Sequence, residues 1–156
     1  MSKIESRLIE LGHPLPAVAK PVASYVPSVV SGNLVFTSGQ LPFVGGVLAI
    51  TGKVGEHDGC VAPADANQLA KLCALNALAA VKLAIGDLDR VTRVIKVVGF
   101  VASVSDFTGQ PAVMNGASEF LVEVFGEIGV HARSAVGVAS LPLDSAVEVE
   151  LIVEFA

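Results

Sequence analysis

The chain has 156 residues, the length of one compact domain, and a net charge of −5. Hydrophobic residues make up 53% and charged residues 16%, where an ordinary soluble domain carries about 25% charged residues. Apolar surface that charge does not cover points to burial between subunits, and an acidic balance with no basic cluster excludes a nucleic-acid footprint.

Residues 2–11 mix charged and aliphatic side chains and predict a short amphipathic helix, with Ser2 as N-cap and Gly12 and Pro14 as its stop. The lead-in HPLPAVAKPVASYVP is proline-spaced and therefore extended. In VPSVVSGNLVFTSGQ the pair Gly32-Asn33 separates two β-branched runs, which predicts a hairpin with a tight turn. A third short strand is expected from Val47 to Thr51, ahead of the Gly-rich loop GKVGEHDGC. The main helix is expected from Ala62 to Ile85, with Asp65 as its cap and Gly86 as its stop. It is apolar almost all round, as a helix packed on a sheet would be. Its most apolar part, QLAKLCALNALAAVKLAIG, is interrupted by Lys71, Asn76 and Lys82, so no membrane span is expected. VTRVIKVVGFVASV then predicts a strand. A second helix spans Gln110 to Gly126, with Asn115, Glu119 and Glu123 as its polar positions, and RSAVGVASL and AVEVELIVEF are the last two strands.

Strands, helix, strand, helix, strands is the order of an α+β domain with helices on one face of a mixed sheet. In a chain this apolar, the other sheet face is expected to pack against copies of itself. Cys60 and Cys73 lack metal-ligand spacing, and Cys73 reads as core. His13, His57 and His131 are too scattered to make a metal site; His131, two residues before Arg133, reads first as a loop histidine without a role, with a place at the mouth of a cleft as the alternative. MSKIESRLIELG has no apolar signal region, so a cytoplasmic, reducing location is expected.

One stretch resists a purely structural reading. In HARSAVGVASLPLDSAVEVE, a lone arginine opens a β-branched strand. By alternation Arg133 shares a face with Ala135, Gly137 and Ala139, all small. A guanidinium leaning over small residues suits a carboxylate-binding pocket, because it stays charged and grips a carboxylate through two parallel hydrogen bonds. The competing reading is an ion pair to a sheet glutamate. In the last strand Glu148, Glu150 and Glu154 face away from the apolar positions, and Glu150 and Glu154 read as a solvated edge. If the strands of Arg133 and Glu148 pair as a hairpin, both residues come to one site.

The pattern A-R-S-A-V-x-V-A-x-L-P followed by V-E-V-E resembles the C-terminal signature of the RidA/YjgF (Rid) family, the reactive intermediate deaminases, formerly labelled endoribonuclease L-PSP. SYVPSVVSGNLVFTSGQLP resembles the family's N-terminal tyrosine, hairpin and SGQ loop, and coverage runs from about Tyr25 to the C-terminus. The resemblance implies a chorismate-mutase-like α+β fold: a single Rid-type domain over 1–156, with 1–20 as an added N-terminal helix and extended lead-in. It also implies a homotrimer whose sheets form a central barrel with clefts between protomers. The implied activity is hydrolysis of imines and enamines, such as 2-iminopropanoate and 2-iminobutanoate, to 2-oxo acids and ammonia. Such intermediates leak from PLP-dependent dehydratases. No metal or organic cofactor, nucleic acid or membrane is implied.

Residue by residue, the resemblance makes Arg133 the holder of the substrate carboxylate and Glu148 the residue that orients the attacking water. Tyr25 becomes the cleft tyrosine. Ser38 and Gly39 become the loop near the carboxylate, with glycine permitting close backbone approach. Ser38 lacks the surroundings of a nucleophile. Asn115 matches a helix asparagine, and Pro142 a turn at the cleft rim. Many members carry a cysteine where this chain has Ala135; the backbone carbonyl there remains able to bind water, and the pocket is larger. The alternative to an enzyme is a trimeric binding protein for small carboxylates such as 2-oxobutyrate. Glu148 favours the enzyme, because anion binding gains nothing from a nearby carboxylate. A ribonuclease is disfavoured by the net charge, the single tyrosine and the lack of tryptophan.

Overall fold

The computed structural model describes residues 2–21 and 23–156. Helix α1, Lys3–Glu10, begins as its sequence predicts. Ser2 Oγ accepts from the Glu5 N–H at 3.1 Å, and the Glu5 carboxylate accepts from the Ser2 N–H, so two orphan donors are satisfied reciprocally. The Asp89 carboxylate takes the next two free donors, the N–H groups of Lys3 and Ile4, at 2.9 Å each. Those bonds hold the Asp89 carboxyl below its ordinary range. An ion pair between Glu5 and Lys82 fastens α1 to the main helix, and Leu8 is buried beneath it.

Strands β1 (Ser28–Ser31) and β2 (Leu34–Thr37) form the expected hairpin, with Gly32 at φ +61° making the turn. The expected strand from Val47 to Thr51 does not form. Gly45 and Gly46 both take positive φ, so the chain reverses and Val44 pairs with Val47 in an isolated bridge. Thr51 pairs instead with Ser145. Helix α2 runs Pro63–Ile85 and ends at Gly86. Its cap position is Ala62, not Asp65. Pro63 has no N–H needing a cap, and Asp65 lies in the first turn, where its charge suits the helix dipole. Strand β3 (Val91–Ala102), helix α3 (Gln110–Phe125), β4 (Ala132–Val138) and β5 (Val147–Phe155) complete the fold.

The sheet order is β1-β2-β5-β3-β4. All pairs are antiparallel except β3–β4, which α3 joins as a parallel crossover. The α+β expectation holds: one mixed sheet, with α2 and α3 on one face. Alternation puts Val147, Val149, Leu151 and Val153 into the core under those helices, with Val94, Val97 and Val101 of β3 beside them. Cys73 is buried there, and burial pushes its thiol up. Among the described residues α2 is the helix long and apolar enough to cross a membrane, yet most of it is buried in this core. Two glycines set how closely α3 sits. A Cβ on Gly116 would overlap the Asn67 carbonyl of α2, and one on Gly99 would overlap Met114.

Among the described residues no helix covers the other face of the sheet. Val29, Phe36 and Val136 are 56%, 40% and 44% exposed there, and Val98, Phe100 and Ile152 share the face by register. β5 is a central strand, so its glutamates do not line an edge. Glu154 accepts from Asn33 Nδ2 at 3.2 Å and Thr92 Oγ1 at 2.8 Å, tying the hairpin tip to β3.

Candidate active site

Arg133 lies on the edge strand β4, on the helix-covered face. Its register partner is Val97, and Val97 pairs in turn with Leu151; both are core residues. The side chain is half-buried against α3. Nη1 donates to Asn115 Oδ1 at 2.8 Å and to Ser118 Oγ at 3.2 Å, and Nη2 donates to the Pro111 carbonyl at 3.3 Å. Positions 111, 115 and 118 recur at helical spacing, so one face of α3 supplies all three acceptors. All three are neutral. Among the described residues no carboxylate pairs with Arg133, which removes the sheet ion pair as an account of it. A guanidinium has five N–H donors. Among the described residues these bonds use Nη1 twice and Nη2 once, and none uses Nε. Nε and Nη2 share one edge of the group, the edge that receives a carboxylate through two parallel bonds.

His131 belongs to the same cluster, contrary to its reading as an idle loop residue. Nδ1 lies 2.6 Å from the Gly129 carbonyl oxygen and Nε2 lies 2.9 Å from Ser118 Oγ. A carbonyl only accepts, so Nδ1 carries the proton. Burial lowers the pKa of His131; the Gly129 carbonyl opposes that, and the Arg133 charge adds to the lowering. The ring is therefore neutral near pH 7, Nε2 is an acceptor, and the Ser118 hydroxyl donates to it. Ser118 is the member that sequence reasoning missed. Its signal was its place three residues after Asn115.

Glu148 sits elsewhere. Its register partner is Phe100, and Phe100 pairs with Val136, which places Glu148 on the uncovered face. Gln40 and Val149 exchange backbone bonds of 2.8 and 3.0 Å, and this lays the SGQ loop beside Glu148. A Cβ on Gly39 would fall inside the Glu148 carboxylate, so a side chain at 39 would push that carboxylate from its place. Ser38 and Gln40 both use their N–H groups in backbone bonds. The Gly39 N–H between them has no partner among the described residues. The Ser38 hydroxyl donates to the Val26 carbonyl at 2.6 Å, a structural bond that leaves no nucleophile. The Glu148 carboxylate is half-buried and accepts no hydrogen bond among the described residues. Burial raises its pKa first, and the neighbouring charge of Glu150 raises it further. Tyr25, Gly39, Gln40 and Phe43 line a pocket of about 30 Å³ whose outer wall is the lead-in at Lys20.

The expected hairpin of the Arg133 and Glu148 strands is not present. β3 lies between them, and β4 pairs with β3 alone. Two strand spacings and three residue steps separate the two Cα atoms by roughly 14 Å, and the side chains leave opposite faces. Asn115 therefore joins Arg133, while Ser38, Gly39 and Tyr25 join Glu148. Ala135 lies two residues beyond Arg133 on the same face, opposite Gly99. Pro142 opens an exposed 3₁₀ turn, Pro142–Asp144, and its carbonyl accepts from Ser145 N–H; it joins neither cluster. The GKVGEHDGC loop docks on the loop between β3 and α3 through a His57–Asp106 contact of 2.8 Å. Its Lys53 borders an open pocket of about 670 Å³ with Ser103, Gln110 and Gly137.

Residues 5–155 match the family described as "YjgF/chorismate mutase-like, putative endoribonuclease". The chain belongs to this YjgF/RidA family. It is 45% identical to Protein TCP17 of Trypanosoma cruzi, over 97% of this chain and 94% of that protein. It is similar to the crystal structure of Atu1372, a protein of unknown function from Agrobacterium tumefaciens. There the identity is 52% and the TM-score 0.90, over 98% of this chain and 92% of that one. RidA from the Antarctic bacterium Psychrobacter sp. PAMC 21119 matches at 30% identity and TM-score 0.60, over 88% and 94%. The YjgF/RidA fold is thus shared, and the three-dimensional likeness is greater to Atu1372 than to this RidA.

Proposed function

We infer that the protein hydrolyses reactive 2-imino acids, and the enamines in equilibrium with them, to 2-oxo acids and ammonia. The observation that carries this reading is Arg133: among the described residues its guanidinium has no carboxylate partner and its Nε–H is unused. Membership of the YjgF/RidA family supports it. The substrate carboxylate takes that edge, and the imine carbon is thereby fixed in place. Glu148 accepts a proton from water as the oxygen bonds to the imine carbon, and the nitrogen, which takes the C=N electron pair, receives that proton from Glu148. The carbinolamine then loses ammonia: the hydroxyl proton passes by way of Glu148 to the amino nitrogen, the C–N bond breaks, and the 2-oxo acid remains. The Gly39 N–H and the Tyr25 hydroxyl line the water side. Hydrolysis needs no oxidant or reductant.

One protomer carries the two halves on opposite faces of its sheet, so the reading requires a second copy. The uncovered apolar face and the unpaired edge of β4 are surfaces that a homotrimer would use. PLP-dependent dehydratases are the reaction class that supplies such imines.

The test is complementation. Arg133→Ala and Glu148→Gln are each expected to be inactive in a dehydratase-coupled assay of 2-oxo acid release, with semicarbazide competing for the imine. Unfolded together and refolded as mixed oligomers, they should regain about a quarter of wild-type activity, because random assembly pairs an intact Arg133 with an intact Glu148 at that frequency. No recovery would place both residues in one protomer's site and refute the shared cleft. A wild type that binds 2-oxobutyrate yet never accelerates imine hydrolysis would make this a carboxylate-binding protein instead.

A further inference from the structure

We propose that Ser118 and His131 are positioning residues that fix which edge of the Arg133 guanidinium faces the ligand. The inference rests on reading Arg133 as the carboxylate binder. The bonds form a directed chain: Arg133 Nη1–H to Ser118 Oγ (3.2 Å), Ser118 O–H to His131 Nε2 (2.9 Å), His131 Nδ1–H to the Gly129 carbonyl (2.6 Å). Each link sets the direction of the next. The Gly129 carbonyl fixes the tautomer, the tautomer makes Nε2 an acceptor, and the hydroxyl proton spent on Nε2 leaves the Ser118 oxygen lone pairs to Arg133. The chain is anchored in three elements: α3 at Ser118, β4 at Arg133, and the 3₁₀ turn Gly126–Gly129 at its carbonyl.

Its consequence is orientation. An arginine side chain has several rotatable bonds and can present either its end, Nη1 with Nη2, or its side, Nε with Nη2. Asn115 and Ser118 together occupy both Nη1 hydrogens, so the end is unavailable and the side is offered. Without the serine, Nη1 keeps only Asn115 and the group is free to roll about that contact. Without the imidazole acceptor, the serine proton competes for the space that Arg133 needs.

The experiment compares Ser118→Ala, Ser118→Thr, His131→Phe and the double variant Ser118→Ala/His131→Phe. Calorimetry with 2-oxobutyrate gives Kd, and the coupled assay gives kcat and KM. Ser118→Ala and His131→Phe should each weaken 2-oxobutyrate binding and raise KM about tenfold, with kcat changed less than about threefold. The threonine variant keeps the hydroxyl and should stay near wild type. The double variant should be no worse than the worse single, because both break one chain. Unchanged Kd and KM in the singles, or fully additive losses, overturn the proposal. Should the variants fold poorly, nitrogen NMR of wild type decides. The His131 ring, assigned by its loss in His131→Asn, is expected as the neutral Nδ1–H tautomer at pH 7; a charged ring or the Nε2–H tautomer overturns the chain. Failure of wild type to bind 2-oxobutyrate overturns the carboxylate reading of Arg133, and the positioning role with it, whatever the tautomer.

Discussion

Glu148 and Arg133 are held in opposite states by their surroundings. Glu148 has no hydrogen-bond donor among the described residues and sits half-buried near Glu150, so its proton is harder to remove than an ordinary glutamate's. A water-activating base must be ionised. Activity should therefore fall as pH drops through a value above the usual carboxylate range. Glu150→Gln removes the smaller of the two causes and should move that acid limb of kcat part of the way down; burial keeps the rest. A limb unmoved by Glu150→Gln would mean that another group titrates. Arg133 is held by three neutral acceptors, and none of those bonds uses its Nε–H. Lysine keeps the charge but has no fork, so Arg133→Lys should lose nearly as much kcat/KM as Arg133→Ala. Wild-type kcat/KM in the lysine variant would refute the bidentate geometry.

Helix α3 turns this local chemistry into a matter of packing. Its face toward β4 carries Pro111, Asn115 and Ser118, and its face toward α2 is brought close by Gly116. The side chain forbidden at Gly116 would meet the backbone of Asn67, which cannot swing aside, whereas Gly99 faces the flexible Met114. Gly116→Ala gains about 1 kcal/mol of helix propensity but forces α3 off α2, for a net loss of about 1–2 kcal/mol in urea unfolding. Because Gly116 lies between Asn115 and Ser118, the same shift should raise KM. Gly99→Ala should cost less stability than Gly116→Ala, and a reversed order would show that α3 is not seated by the Gly116 contact.

For the molecule as a whole, the apolar composition and the uncovered sheet face are one observation made twice. The 16% of charged residues is why burial between copies is expected, and the face carrying Val29, Phe36 and Val136 is an exposed apolar face of the single chain. Phe36→Asp places a charge in the middle of that face. It should yield a smaller species by light scattering and abolish imine hydrolysis while leaving the far-ultraviolet circular dichroism unchanged. Full activity in a monomeric Phe36→Asp would refute a site shared between copies.

Local chemistry along the chain was enough for α1 and its Ser2 cap, the Gly32-Asn33 hairpin, both long helices and the in–out alternation of β5. Each follows from neighbours within a turn or a pleat, where capping, φ preference and periodicity act. The failed strand at 47–51 was also local: two adjacent glycines reversed the chain where β-branched flanks suggested extension. Two motifs in order were enough for the family, and so for which residue types to watch. Which of those residues meet was beyond the linear pattern. The Arg133 and Glu148 strands are neighbours in sequence, yet β3 intervenes because the α3 crossover makes β4 parallel to it and pushes β4 to the edge. Strand order depends on long-range pairing, and no spacing between residues 131 and 150 encodes it. The same holds for Ser118 and His131, distant enough in sequence to look unrelated, which become a hydrogen-bonded chain to Arg133 once α3 is laid against β4.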